Sequence, residues 1–335
     1  MNEKSLHGIL GSRSRTAAIG RRTRLHRIAI WHRLHTLLLW FFILGFAPSL
    51  YAAETLRVLT VLSDSSPLYQ DFAKALTQNL PNNIQMSVLQ HPDDFNGDAS
   101  DAELIVTVGL KAAETVAGMT RLPMLAAVIP NNKYVSLLSK RDRTSQFSAV
   151  YVDQPWFRQI ALIRAVMPER TRIGLLYSRD GQLDLDELRR EAKRQHQTLV
   201  EMPTKNEGDL FNNMVGLLPR SDVLLALPDS KIFNSNTIRN ILLESYRHNV
   251  PLVGIGQSYV NAGALCAVYS TPEQLATQAE AMVNRFAQSR HLSEAQFPML
   301  YNVAINQEVM RTLGINIRSP EWLHLQIDKM QGGRQ

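Results

Sequence analysis

From Leu56 onward, short apolar runs alternate with segments whose apolar residues recur at helical spacing. Residues 56–62, Leu-Arg-Val-Leu-Thr-Val-Leu, form a β-rich run. It closes in Ser63-Asp64-Ser65-Ser66-Pro67, a turn that also reads as a helix start with proline in the first turn. Leu68, Phe72, Ala75, Leu76 and Leu80 mark one face of the helix that follows. Strands are predicted over 84–89, 104–108 and 124–129, with a helix starting at 112–117 and Pro130 stopping the last strand. After a less regular stretch, 131–150, the alternation restarts. It gives a helix over 156–167, a strand over 173–177, a helix over 185–195, a strand over 198–202 and a helix over 210–218. A strand over 223–227, a helix over 238–248, strands over 252–255 and 264–268 and a long helix over 272–289 complete it. Asp184, Asp186 and Glu187 stand where the dipole of the 185–195 helix favours acids, and Arg189, Arg190, Lys193 and Arg194 form its solvated face.

Near-continuous apolar strands alternating with helices imply parallel sheets covered on both faces. The expected fold is therefore α/β, with two doubly wound parallel-sheet lobes and an interlobe cleft. In such sheets ligands bind beyond the carboxyl ends of the strands. Asp64, Ser65 and Ser66 follow the first strand, Gly109 the third, Asp229 and Ser230 follow Leu227, and Gln257 and Ser258 follow Ile255. Taken singly, each is a helix cap as readily as a ligand contact. Together they mark one rim, where helix N-termini favour an anion such as a carboxylate.

The first 53 residues have a different character. Cations dominate up to residue 35, an apolar run of about a dozen residues reaches Ala47, and small residues follow, the layout of a secretory signal. The run is short of the roughly 20 apolar residues of a spanning helix. Cleavage is expected near Ala52, with an uncleaved anchor as the alternative. Arg21-Arg22 lies too far upstream of the apolar run for a twin-arginine signal. No cysteine lies near the cut, so a lipoprotein is not expected. The leader also changes the charge. The chain carries net +6, yet residues 1–53 hold eight of its 36 Lys and Arg and one of its 30 Asp and Glu. The rest thus has 28 cations against 29 anions, and no nucleic-acid partner is expected.

Chemistry-bearing motifs are sparse. Cys266 is the single cysteine, within an apolar stretch, which excludes a disulfide framework and suits a core thiol. There is no metal-ligand spacing and no phosphate loop, and Tyr259 stands where Gly254-x-Gly256 would need a third glycine. A triad of Ser258, His248 and Asp229 can be drawn only on paper. Neither a cofactor nor a metal is expected, and the chain is not expected to be an enzyme.

Several stretches, in order, resemble one family. They are Leu104-Ile105-Val106-Thr107-Val108-Gly109-Leu110-Lys111 with Leu122-Pro123-Met124, then Met167-Pro168 with Arg172-Ile173-Gly174-Leu175-Leu176-Tyr177, then Ala226-Leu227-Pro228-Asp229-Ser230. Val250-Pro251-Leu252-Val253, Val260-Asn261-Ala262-Gly263-Ala264-Leu265, and Asn306 with Leu313-Gly314-Ile315 follow. The chain resembles the ABC-transporter substrate-binding proteins of type 1 periplasmic-binding fold, in the branch with tryptophan- and tyrosine-binding members, over most of residues 56–318. Two segments depart from the family pattern: 148–153, which lacks the usual glycine, and 268–276.

The resemblance implies a protein that holds a small solute between two lobes and docks on a membrane permease, and the leader without a lipid-attachment cysteine suits a periplasm of the Gram-negative type. The solute expected is an amino acid or a small carboxylate, and the protein is expected to be a monomer. The lobes implied are 54–150 with about 271–300, and 151–270 with about 301–335. Carried over by position, Asp64, Ser65, Ser66, Gly109, Asp229 and Gln257 are the expected contacts. Tyr151 and Tyr269 either stack on an aromatic ligand or pack the hinge. The alternative is a sensor or scaffold of the same fold with altered or lost binding.

Overall fold

Five strands open the fold: β1 (Leu56–Leu62), β2 (Ile84–Leu89), β3 (Leu104–Val108), β4 (Met124–Ile129) and β5 (Phe147–Tyr151). A computed structural model describes residues 55–332 apart from Ser100, Asp180, Gln182, Asn206, Ile317 and Arg318, so the leader, 1–53, lies outside the described residues. The five strands pair in parallel in the order β2-β1-β3-β4-β5. Every residue of β3 and β4 is buried, which is why both read as unbroken apolar runs. Helix α1 (Pro67–Asn79) buries Phe72, Ala73 and Leu76, and α2 (Leu110–Val116) buries Ala112, Ala113 and Val116.

The stretch that looked irregular holds α3 (Tyr134–Ser139) and β5. Six residues are too few to display a helical period, and Phe147-Ser148-Ala149-Val150-Tyr151 is diluted by serine and alanine. Within β4 the register shifts at Val128, whose φ of 58° is unusual for a β-branched residue. The kink re-aims the chain toward Pro130 at the cleft.

The second sheet holds β6 (Arg172–Ser178), β7 (Thr198–Thr204), β8 (Val223–Leu225), β9 (Leu252–Gly254), β10 (Cys266–Tyr269) and β11 (Asn302–Ile305), in the order β11-β10-β9-β8-β6-β7. Helices α4 (Trp156–Val166), α5 (Leu185–Arg194), α6 (Leu210–Leu217), α7 (Ile238–Arg247) and α8 (Gln257–Ala262) accompany it. The all-parallel expectation needs one correction: β11 pairs antiparallel with β10. The chain reaches β11 from the first sheet's side, without the crossover helix that two neighbouring parallel strands require.

Helix α9 (Pro272–Ser289) packs on α1, β4 and β5. It starts in a capping box between Thr271 and Gln274, with Pro272 in its first turn. The chain then returns through α10 (Gln307–Thr312) to α11 (Pro320–Gly332), which packs on α4 and β11 and buries Leu323 and Ile327 in the second sheet's core. Cys266 is fully buried and its thiol pKa is pushed up to about 12 by burial, as a core thiol requires. Among the described residues no helix is long and apolar enough to cross a membrane.

Candidate functional site

The order β2-β1-β3-β4-β5 reverses between β1 and β3, and the order β7-β6-β8-β9-β10 reverses between β6 and β8. Open α/β sheets bind ligands beyond the strand ends at this reversal. In the first lobe that position holds Ser63 and Gly109. Gly109 has φ +89°, and a Cβ there would lie 2.5 Å from Ser63 Oγ and 2.6 Å from Tyr69 Cζ. Glycine is needed for both reasons. Ser63 Oγ in turn accepts from the Ala112 amide at 2.9 Å, anchoring the start of α2.

In the second lobe the reversal is closed by Asp229. Its Oδ2 accepts from the Ser178 backbone N–H at 2.6 Å and from the Ser178 hydroxyl at 2.7 Å, while Oδ1 accepts from the Lys231 N–H at 3.1 Å. Asp229 is 7% exposed, so these bonds replace its lost water. They tie the exit of β8 to the end of β6. Gly181 completes the turn, since a Cβ there would lie 2.9 Å from Ser178 Oγ.

These two ends share a cavity of about 440 Å³. Leu110, Pro130, Asn132 and Lys133 line it from the first lobe. Ser178, Gly181, Leu183, Pro228, Asp229, Ser230, Lys231, Phe233 and Ile255 line it from the second. Each wall brings one lysine, Lys133 and Lys231; Asn132, Ser178, Asp229 and Ser230 add polar groups among the apolar lining. The Asn132 Oδ1 is buried and has no hydrogen-bond partner among the described residues. Beside it the Asn131 N–H donates to Asp153 Oδ2 at 2.6 Å, and burial raises the Asp153 carboxyl to about 6 against that bond. A larger cavity, about 500 Å³ between Arg57, Gln85 and Asp101, opens toward the other ends of β1 and β2 and does not meet the reversal rule. Among the described residues no group of three or more His, Cys, Asp or Glu is placed to hold a metal ion. The paper triad does not assemble: Asp229 is held by Ser178 and Lys231, and no hydrogen bond joins it to His248 or Ser258.

The sequence profile of the ABC transporter substrate binding protein family matches residues 81–324. The chain belongs to this family. Among solved structures, the ligand-free, open substrate binding protein CD0873 of Clostridium difficile, which has adhesive properties, superposes with a TM-score of 0.64 at 16% identity, covering 79% of this chain and 97% of that one. An ABC domain from Streptococcus pneumonia in complex with L-Trp gives 0.58 at 16% identity, covering 79% and 96%. A conserved domain protein from Vibrio cholerae gives 0.58 at 18% identity, covering 81% and 98%. At these identities the likeness is one of fold. None of the curated proteins matches. Family and fold are those of solute-binding proteins rather than enzymes.

Of the residues expected at this substrate-binding protein's site, Asp229 lines the cavity, and Gly109 directly precedes its lining residue Leu110. Asp64 is exposed at the start of α1, where the Ser66 hydroxyl and N–H hold its carboxyl below the usual range. Ser65 lies 3.4 Å from His91 Nε2, and Ser66 is the N-cap residue of α1. Gln257 accepts from the Tyr269 hydroxyl at 2.7 Å and donates to Asn261 at 2.9 Å. Tyr151 packs edge-on against Tyr134 and Phe297, with centroids at 5.8 and 5.1 Å. None of these six is in the cavity wall.

The sequence reading missed Ser178, which directly follows the predicted strand 173–177 and would have been found by the strand-end rule that selected Asp229. It also missed Asn132 and Lys133, because residues 131–150 carried no clear period, and read Pro130 only as a strand stop.

Proposed function

We propose that this substrate-binding protein captures a small anionic or zwitterionic solute, an amino acid or a carboxylate, between its lobes and delivers it to the permease of an ABC-type uptake system. The observation that carries the reading is the cavity at both sheet reversals, walled by Lys133 on one side and by Lys231, Ser178 and Ser230 on the other. A lysine on each wall favours an anionic group on the solute. The unpartnered Asn132 oxygen suits a hydroxyl or ammonium donor on the same solute.

Ligand would favour the closed arrangement of the lobes over the open one. The leader supports export and a periplasmic location, and the lobes follow 54–150 with about 271–300, and 151–270 with about 301–335. The two segments that depart from the family pattern, 148–153 and 268–276, contribute no residue to the cavity wall, so they give no argument for lost binding.

Thermal unfolding of the purified protein against a panel of amino acids and small carboxylates tests this. A ligand at 100 times its dissociation constant adds about 2.7 kcal/mol to stability. Lys133→Ala should abolish the shift while leaving the unliganded midpoint within a degree or two. A folded protein indifferent to the whole panel would falsify the reading.

A further inference from the structure

A third cavity, of about 460 Å³, lies where the chain passes between the lobes, and it shares no lining residue with the cleft. Arg158, Tyr301, Asp328, His324, Met299 and Leu300 dominate its wall. Arg158 is 5% exposed. Its Nη1 donates to Gln154 Oε1 at 2.9 Å and to the Pro298 carbonyl at 2.5 Å, and its Cζ sits 4.3 Å from the Tyr301 ring centroid. The Nε is buried without a partner among the described residues. No described carboxylate lies within ion-pair distance of it.

A buried guanidinium is ordinarily matched by an acid. The acid in this cavity, Asp328, is committed elsewhere. Its Oδ1 accepts from the Tyr301 hydroxyl at 2.6 Å and its Oδ2 faces His324 Nδ1 at 3.1 Å. Burial pulls the Arg158 pKa down, while Tyr301 and the Asp328 carboxylate pull it partly back. At the mouth, Met299 is 68% and Leu300 49% exposed. Wall and mouth together present a cation, which attracts a carboxylate, and apolar surface for the body behind it.

We propose that this hinge cavity is a second binding site, separate from the cleft, for a small organic carboxylate with an apolar body, with Arg158 as its anchor. Crystals of the protein with p-bromobenzoate, read by bromine anomalous scattering, and calorimetric titration of the same compound test it. The expected result is a bromine peak beside Leu300, with the carboxylate on Arg158. Arg158→Gln should abolish the titration. Because that variant removes buried bonds, Leu300→Glu is the second arm: it places a repelling charge at the exposed mouth, and binding should weaken at least tenfold with the unfolding midpoint unchanged. The titrations are run in the Lys133→Ala background, so that carboxylate bound in the cleft does not contribute. Absence of a bromine peak beside Leu300, whatever the cleft holds, or a titration in the Lys133→Ala background indifferent to Leu300→Glu overturns the proposal. None of these outcomes depends on whether the cleft takes a solute.

Discussion

Gly109→Ala isolates the demand the first lobe makes at its sheet reversal. At φ +89° an L side chain is strained, and the new Cβ would meet Ser63 Oγ at 2.5 Å and the Tyr69 ring at 2.6 Å. Backbone strain costs about 1–2 kcal/mol. Overpacking in a filled site adds about 1–3 kcal/mol. The sum, about 2–5 kcal/mol, should lower the thermal midpoint by roughly 5–15 °C for a chain of this size. Gly314→Ala is the control: its φ is +64°, and no atom lies within 4 Å of the added carbon. It carries the strain without the clash and should cost about 1–2 kcal/mol. Urea and thermal unfolding of both variants measure the difference. If Gly109→Ala costs no more than Gly314→Ala, close packing under the β3 exit is not what requires glycine there.

Asp153 gives a pH-dependent prediction. Its carboxyl is raised from an ordinary 3.8 to about 6, so the folded protein holds this proton more tightly than the unfolded chain. Its contribution is therefore fully present below pH 4 and is lost as pH rises through about 6. At 1.36 kcal/mol per pH unit the loss is at most about 3 kcal/mol. Asp153→Asn keeps an acceptor for the Asn131 N–H. It should therefore be more stable than the parent at pH 8 and equal to it at pH 3.5, as read by denaturant midpoints. Equal midpoints at both pH values would rule out a buried charge. At the other reversal, Asp229→Ala leaves the Ser178 N–H and hydroxyl without their acceptor and should cost about 2–4 kcal/mol. A double-mutant cycle with Ser178→Ala should show about 1 kcal/mol of coupling, and strict additivity would contradict the bond between them.

Most of the layered architecture was legible in the residues. The runs at 104–108 and 124–129 are apolar throughout because both faces of each strand are covered. Helix 272–289 was legible at its full length. Elements that stayed hidden were short or mixed: α3, with six residues, β5, diluted by serine and alanine, and β11, a four-residue edge strand. The fate of residues 319–335 was undecidable from pattern alone. Leu323 and Ile327 reach the core only because α4 and β11 stand beside them.

The sequence by itself determined the alternation, hence the class, and placed polar residues beyond strand ends. It named Asp229 together with the other polar residues that follow the strands. Which strand ends meet was decided by tertiary structure. Strand order is a long-range property: β1 beside β3, and β6 beside β8, bring Gly109 and Ser178 to the reversals, whereas Gln257, two residues beyond its strand on the same evidence, turns to Tyr269 instead. Lys133 reaches the cavity through the kink at Val128 and the turn after Pro130. No local pattern encodes that path, since it depends on how the second lobe faces the first.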